Sequence, residues 1–416
     1  MKRKEQEDNV IYVDGPKEAK DANQEREKIH NDKRKLMIIL AVVAVVACVV
    51  FLYYLFHREY KGYKVIKVSE TNYENTANYI QFSGNLLKYT PDGVSYIDAN
   101  GNTVWTAGID MKMPVAVASG NYAAVADLNG NVVCVFGNEG LISSVTMPYA
   151  ICDVDVANQG AFAVVLESAE TNYVNLYDKK GEIVYEIQTT IDKSGYPLDI
   201  SISDDGKKLF TSYLNISTAA VENHLAAYNF GDVGQNSNAD RMVGGYKFDD
   251  QIVTKLEFLD NDTVVAFGTK NIYVYSMKEK PSEKSSIALD GEVRSIFYDE
   301  KYIGIIQDVE DGSSDDAYKV KVYDLKGNLK FTKNINFEYD YIYAAKGEII
   351  ISGGNNCLIY RLNGSVKFDG KLSGNILSVV PNGNNLEYVV VYDDITEIIK
   401  LKPDASKEEI TIEGEK

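Results

Sequence analysis

Apolar and polar positions divide this chain into two unequal parts. Residues 36–56 (LMIILAVVAVVACVVFLYYLF) form one unbroken stretch without a charge. As a helix it reaches about 31 Å, the thickness of a bilayer's hydrocarbon core. From residue 78 to 412 the pattern changes to short apolar or alternating runs, broken by Gly, Asn and Asp. That is the pattern of β-strands joined by tight turns.

The turns repeat. An aromatic or aliphatic residue, usually Asp, two turn residues and Gly recur before a new strand, as in Ile97-Asp98-Ala99-Asn100-Gly101 and Tyr177-Asp178-Lys179-Lys180-Gly181. The same hairpin ends at Gly140, Gly327 and Gly364. Gly supplies the positive φ of the turn, and the Asp side chain is expected to accept hydrogen bonds from its backbone N–H groups. Between Gly181 and Gly327 three longer units fit, each lengthened by a polar loop (231–240, 278–286 and 310–317). A second turn signal, as in Ser203-Asp204-Asp205-Gly206 and Pro381-Asn382-Gly383, precedes a further apolar strand in each unit. Eight units of roughly 40–50 residues with four strands each predict an all-β fold, a β-propeller of eight blades, or seven if the first or last unit is incomplete. Closing the ring also removes the exposed edges of an open array. The segment YKVIKV (63–68) is a candidate closing strand for the last blade, beside EIIKL (397–401).

The expected organisation is a largely disordered tail (1–35), a transmembrane helix (36–56), a juxtamembrane segment (57–77), the propeller (78–412) and a short C-terminal tail (413–416). Lys33, Arg34 and Lys35 abut the apolar stretch, so the positive-inside rule places the amino terminus in the cytoplasm and the large domain outside. A cleaved signal peptide fits poorly, because the stretch is long and leaves through bulky residues. Val45-Val46-Ala47-Cys48 looks like a lipobox, but eight apolar residues follow Cys48, which reads as an ordinary membrane-buried thiol.

Charge narrows the partners. The chain carries a formal net charge of −18, and the part from Gly62 onward is more acidic than the mixed-charge tail. Such a field repels nucleic acid and attracts cations or basic protein surfaces. Three cysteines outside the apolar stretch (Cys134, Cys152, Cys357) form no disulfide framework; buried thiols are expected, with a Cys134–Cys152 bridge the alternative. Only His224 of the three histidines falls in the large domain proper, in a strand-like segment, which excludes multi-histidine metal sites. No dinucleotide, phosphate-loop, zincin or EF-hand pattern occurs, so no cofactor or metal is expected.

Some residues resemble known families. IDANGNTVW (97–105) is similar to the repeat of quinoprotein-like propellers, which include outer-membrane assembly scaffolds. SDDGKKLF (203–210) resembles the turn of TolB-type propellers, with Asp204 where proline is usual. Over residues 30–412 the plan is similar to an uncharacterised membrane-anchored propeller family of clostridia-like Gram-positive bacteria. The resemblance implies the fold and a single span, not an activity. Quinoprotein dehydrogenases stack their cofactor on Trp, and this chain has one Trp, Trp105, inside a blade motif. The abundant tyrosines, 30 in all, are expected between stacked blades.

Two functions compete. The first is a non-enzymatic scaffold or sensor for envelope proteins at the outer membrane face, with Val10–Val13 of the tail as a candidate docking motif. The second is a carboxylate-based channel enzyme (hydrolase or lyase), or a small-ligand or cation-binding propeller. Its candidate ligand site is Asp153 and Asp155, on one face of ICDVDV, with Asp199 at the opening of the equivalent strand in the next blade. Arg294, Glu338 and Asp340 fall near the starts of later ones.

Overall fold

The structure, a computed structural model, describes residues 17–70, 77–169, 171–216, 221–237, 240–309, 317–384, 386–405 and 407–408. The Val10–Val13 motif, residues 310–316 and the 413–416 tail lie outside them. The chain forms two compact units that divide after Arg58. The first is one helix, α1 (Lys17–His57), which begins well before the apolar stretch and ends one residue past it. Half of the tail expected to be disordered is therefore helical.

In the second unit eight sheets follow one another in chain order, antiparallel throughout except for one short parallel pairing in the last. Blades one to seven occupy residues 78–108, 114–146, 150–190, 196–248, 253–288, 295–335 and 341–371, each a four-stranded meander. Blade eight takes three strands from the C-terminal side (Ile376–Pro381, Glu387–Tyr392 and Ile395–Lys402), its fourth, Gly62–Glu70, from the other end of the unit, and a short fifth, Lys407–Glu408, beyond that one. Tyr63 pairs with Leu401 and Val68 with Glu397, antiparallel, with one bulge between Val65 and Lys67. This closes the ring without leaving the last blade a strand short.

Hydropathy along each blade follows from what its strands face. The second and third strands of blade two, Tyr122–Asp127 and Val132–Gly137, are covered on both sides by neighbouring blades and are buried beyond their first residue. The fourth, Gly140–Thr146, lies at the rim and alternates between exposed and half-buried positions. The same logic explains Ser282–Ala288, which overlaps the segment 278–286 expected to be a polar loop. It is the rim strand of blade five, polar because it faces water.

The core is divided into clusters at the blade boundaries. Phe82, Val94 and Phe136 pack between blades one and two, for example, and Leu86, Val380 and Val391 between eight and one. Tyrosines fill these seams: Tyr275 is fully buried, stacked on Tyr246 at 4.5 Å and on Phe210 at 5.7 Å. Trp105 stacks on Phe136 at 5.5 Å and donates its indole N–H to the Asn138 carbonyl at 2.9 Å. The cysteines are all free thiols. Cys134 and Cys357 are buried as expected, but Cys152 is exposed, at a bulge in the first strand of blade three.

The hairpin chemistry is as the repeat implied. Asp178 accepts the backbone N–H groups of Lys180 and Glu182, both at 2.9 Å, and Gly181 has φ +86°. An added Cβ at Gly181 falls 2.2 Å from a methyl of Val145 in the neighbouring blade. Gly181→Ala is therefore expected to cost roughly 1–2 kcal/mol, read as a melting temperature lowered by a few degrees in calorimetry.

Candidate functional site on the propeller axis

The first strands of neighbouring blades meet around the axis, and those of blades three to six carry the candidate chemistry. They are Ala150–Val156, Tyr196–Ile202, Val253–Phe258 and Ser295–Tyr298. Each of the first three has a bulge, ending at Asp153, Asp199 and Lys255 respectively. A bulge re-aims the residues that follow it. Period 2 then sets Asp155, Ser201 and Glu257 on the same side as those three. Asp199 sits in the middle of its strand rather than opening it, because the strand begins at Tyr196.

An innermost strand has one edge with no sheet partner, and its N–H groups still need acceptors. The site residues supply them across blade boundaries. Asp153 accepts the Ile200 N–H at 3.1 Å, and Asp155 accepts the Ile202 N–H at 2.9 Å and the Ser201 hydroxyl at 3.2 Å. One blade on, Asp199 accepts the Leu256 N–H at 2.6 Å and Ser201 Oγ accepts the Phe258 N–H at 2.9 Å. The Lys255 ammonium lies 3.2 Å from Asp199 and 3.9 Å from Glu257, and the Tyr298 hydroxyl donates to Glu257 at 2.8 Å. These bonds stitch blades three to six together.

Four carboxylates thus share one ammonium. Burial pushes Asp153 up to about 6, Asp199 to about 7 and Glu257 to about 8, and raises Asp155, while the Lys255 charge opposes each shift. Burial by itself would lower Lys255, but Asp199 and Glu257 hold it above its ordinary value. Lys255 keeps 38% of its side-chain surface accessible, so water reaches the cluster. Carboxyls tuned to this range can exchange protons near neutrality.

The structure therefore brings Asp153, Asp155 and Asp199 together and adds Ser201, Lys255, Glu257 and Tyr298, which the sequence reading missed. A signal was present: CDVDV (152–156), LDISI (198–202) and TKLEF (254–258) place polar residues at matching positions of three units. Arg294, Glu338 and Asp340 stand apart from the cluster in loops. Arg294 pairs with Asp308 at 2.8 Å, Glu338 accepts the Tyr318 hydroxyl, and Asp340 accepts the Gly354 N–H at 3.0 Å. His224 lies 3.2 Å from Glu222 on the third strand of blade four. Among the described residues no three His, Cys, Asp or Glu side chains are placed to hold a metal ion.

Residues 56–401 match the model of a family of unknown function, DUF5711, and the chain belongs to that family. No curated protein matches it. Among solved structures, Chaetomium thermophilum Sqt1, bound to the N-terminus of the ribosomal protein L10, superposes with a TM-score of 0.50 at 12% identity, covering 82% of this chain and 100% of its own. Apo AztD from Citrobacter koseri gives 0.50 at 12% identity over 72% of this chain and 87% of its own. BamB from Moraxella catarrhalis gives 0.49 at 8% identity over 81% and 99%. At these identities the likeness is one of fold.

Proposed function

We propose that this DUF5711 protein is a single-pass membrane protein whose propeller works outside the membrane as a scaffold or sensor for other envelope proteins. The observation that carries the anchoring is the helix itself. From Leu36 to Tyr54 its large apolar side chains are exposed on every face, Val43 and Phe51 by 58% and 61%. Leaving this surface in water costs on the order of 20 kcal/mol, which a bilayer removes. In this reading residues 1–35 are cytoplasmic, 36–56 span, and the Lys33-Arg34-Lys35 cluster sets the direction.

A closed ring of blades is stiff, and its loops offer surfaces on which partners can dock. Sqt1, solved with the N-terminus of a ribosomal protein bound, supports the use of such a fold to hold a protein segment. Crosslinking the full-length protein in its native membrane, then mass spectrometry, tests the role. A control keeps the tail and helix but carries an unrelated outer domain. Partners recovered only with the propeller are expected; the same set from both proteins contradicts the scaffold.

The excess of carboxylates over Lys255 favours a second reading, a small organic amine bound on the axis. Binding to a panel of such compounds that is lost in the Asp153/Asp155/Asp199 triple Asn variant supports it. Binding that survives those changes sinks it.

A further inference from the structure

Charge is confined to one side of the propeller axis. Among the first strands of the eight blades, every charged residue falls in blades three, four and five: Asp153, Asp155, Asp199, Lys255 and Glu257. The first strands of the other blades carry none. In a closed ring of eight, blades seven, eight and one stand directly opposite those three. Their first strands, Tyr341–Ala345, Ile376–Pro381 and Asn78–Phe82, line a cavity of about 320 Å³. Three consecutive blades share one cavity through their first strands alone only where those strands converge, at the axis.

The strand registers put the two sides at one height. Counted back from the first hairpin of each blade, Tyr79, Ile342 and Ser378 hold the places of Asp153, Asp199 and Lys255. Ser378 follows the same bulge as those three. The wall of the cavity is aromatic and reachable. Tyr341 is 47% exposed, Gln81 is exposed, and Tyr79, Tyr343 and Leu377 are half-buried. No charged side chain lines it. The Tyr343 hydroxyl is buried and bonds to no partner among the described residues, although the Gln81 side chain lies near enough to influence it. A buried polar group left so is open to a further partner.

Most neighbouring first strands come within 8 Å of each other between Cα atoms. A ring of eight at that spacing leaves roughly 10 Å between side chains of opposite blades. A short alkyl chain bridges such a gap. Resting on the reading of an amine on the axis, we infer that this cavity completes the site and that its ligand is an amphipathic amine. The ammonium meets the carboxylates of blades three to five, and an aromatic or branched apolar group enters the cavity between blades seven, eight and one. A purely polar amine leaves the tyrosine wall unused, and a neutral aromatic compound leaves the carboxylates in excess over Lys255.

The test titrates the full-length protein in lipid nanodiscs by calorimetry, with empty nanodiscs as the blank. The probes are phenylhexylamine, hexylamine and phenylhexanol. Phenylhexylamine is expected to bind at least tenfold tighter than either of the others. Gln81→Trp, which fills the cavity from an exposed position, is expected to remove the advantage of the phenyl group and leave hexylamine unchanged. The Asp153/Asp155/Asp199 triple Asn variant is expected to weaken both amines at least tenfold. Melting temperatures identify any variant that misfolds, and Tyr341→Ser, at another exposed position of the wall, keeps the comparison available if Gln81→Trp does. Hexylamine may bind through the three aspartates while the phenyl group adds nothing, or adds as much in the folded wall variants. Either result overturns the cavity and leaves the amine reading standing. If neither amine binds, both are wrong.

Discussion

A chain begun at Glu59 is expected to melt in one cooperative transition, whereas a chain begun at Asn78 is expected to lose it or melt more than about 10 °C lower. The two differ by residues 59–77, which include the strand Gly62–Glu70 that completes blade eight and the buried Tyr60, whose N–H donates to the Lys367 carbonyl of blade seven at 2.8 Å. Tyr63 and Val65 are 3% and 2% exposed and pack with Tyr388, Ile399 and Leu401. Burying two such side chains contributes roughly 3–6 kcal/mol, and loss of the strand also leaves the Ile395–Lys402 edge unpaired. A typical domain has only about 5–15 kcal/mol in total. Calorimetry on the two fragments checks this, and Val65→Asp in the longer one should reproduce most of the loss. Equal melting of both fragments would mean that closure lies elsewhere.

Lys255→Met is expected to make the propeller's stability depend much more steeply on pH. In the wild-type protein Asp153, Asp199 and Glu257 hold their protons to about 6, 7 and 8, above the ordinary carboxyl range near 4. The folded state therefore binds more protons than the unfolded state between about pH 4 and 8. Stability is fully present at the acidic end and declines as pH rises through those values. The wild-type melting temperature should accordingly be a few degrees higher at pH 5 than at pH 8. Lys255 remains charged throughout this window and is the cluster's one cation. Replacing it leaves the carboxylates with no counter-charge, at a cost of about 2–3 kcal/mol at pH 8. That is less than for a fully buried pair, because 38% of the lysine side chain stays accessible. At pH 5 most of the loss should vanish. A variant as stable as wild type at pH 8 would show that the four carboxylates are not electrostatically linked.

The blade repeat was legible because turn chemistry is local. Asp98 accepts N–H groups two and four residues ahead, and Gly101 has φ +71°, so five neighbouring letters carry the whole signal. The Asp153 and Asp155 pair was legible for a similar reason, since period 2 sets both on one face. Their companions were hidden by distance and by change of type. Asp199 meets Leu256 from 57 residues away, and the position held by Asp153 in one blade holds Lys255 two blades later. Burial of Cys152 was misjudged because the bulge beside it takes it out of the alternating register. The start of α1 was misjudged because helix and disordered chain have similar composition when polar residues of both signs alternate, as they do from Lys17 to Lys35.

The side of the membrane on which the propeller lies is read by single-cysteine labelling of a cysteine-free version of the chain in intact cells. A membrane-impermeant maleimide is offered to Glu139→Cys, in a propeller turn, and to Lys28→Cys, before the apolar stretch. The propeller position is expected to label in intact cells, and the Lys28 position only after lysis. Labelling at Lys28 with protection of the propeller, or protection of both until lysis, would rule out an external propeller.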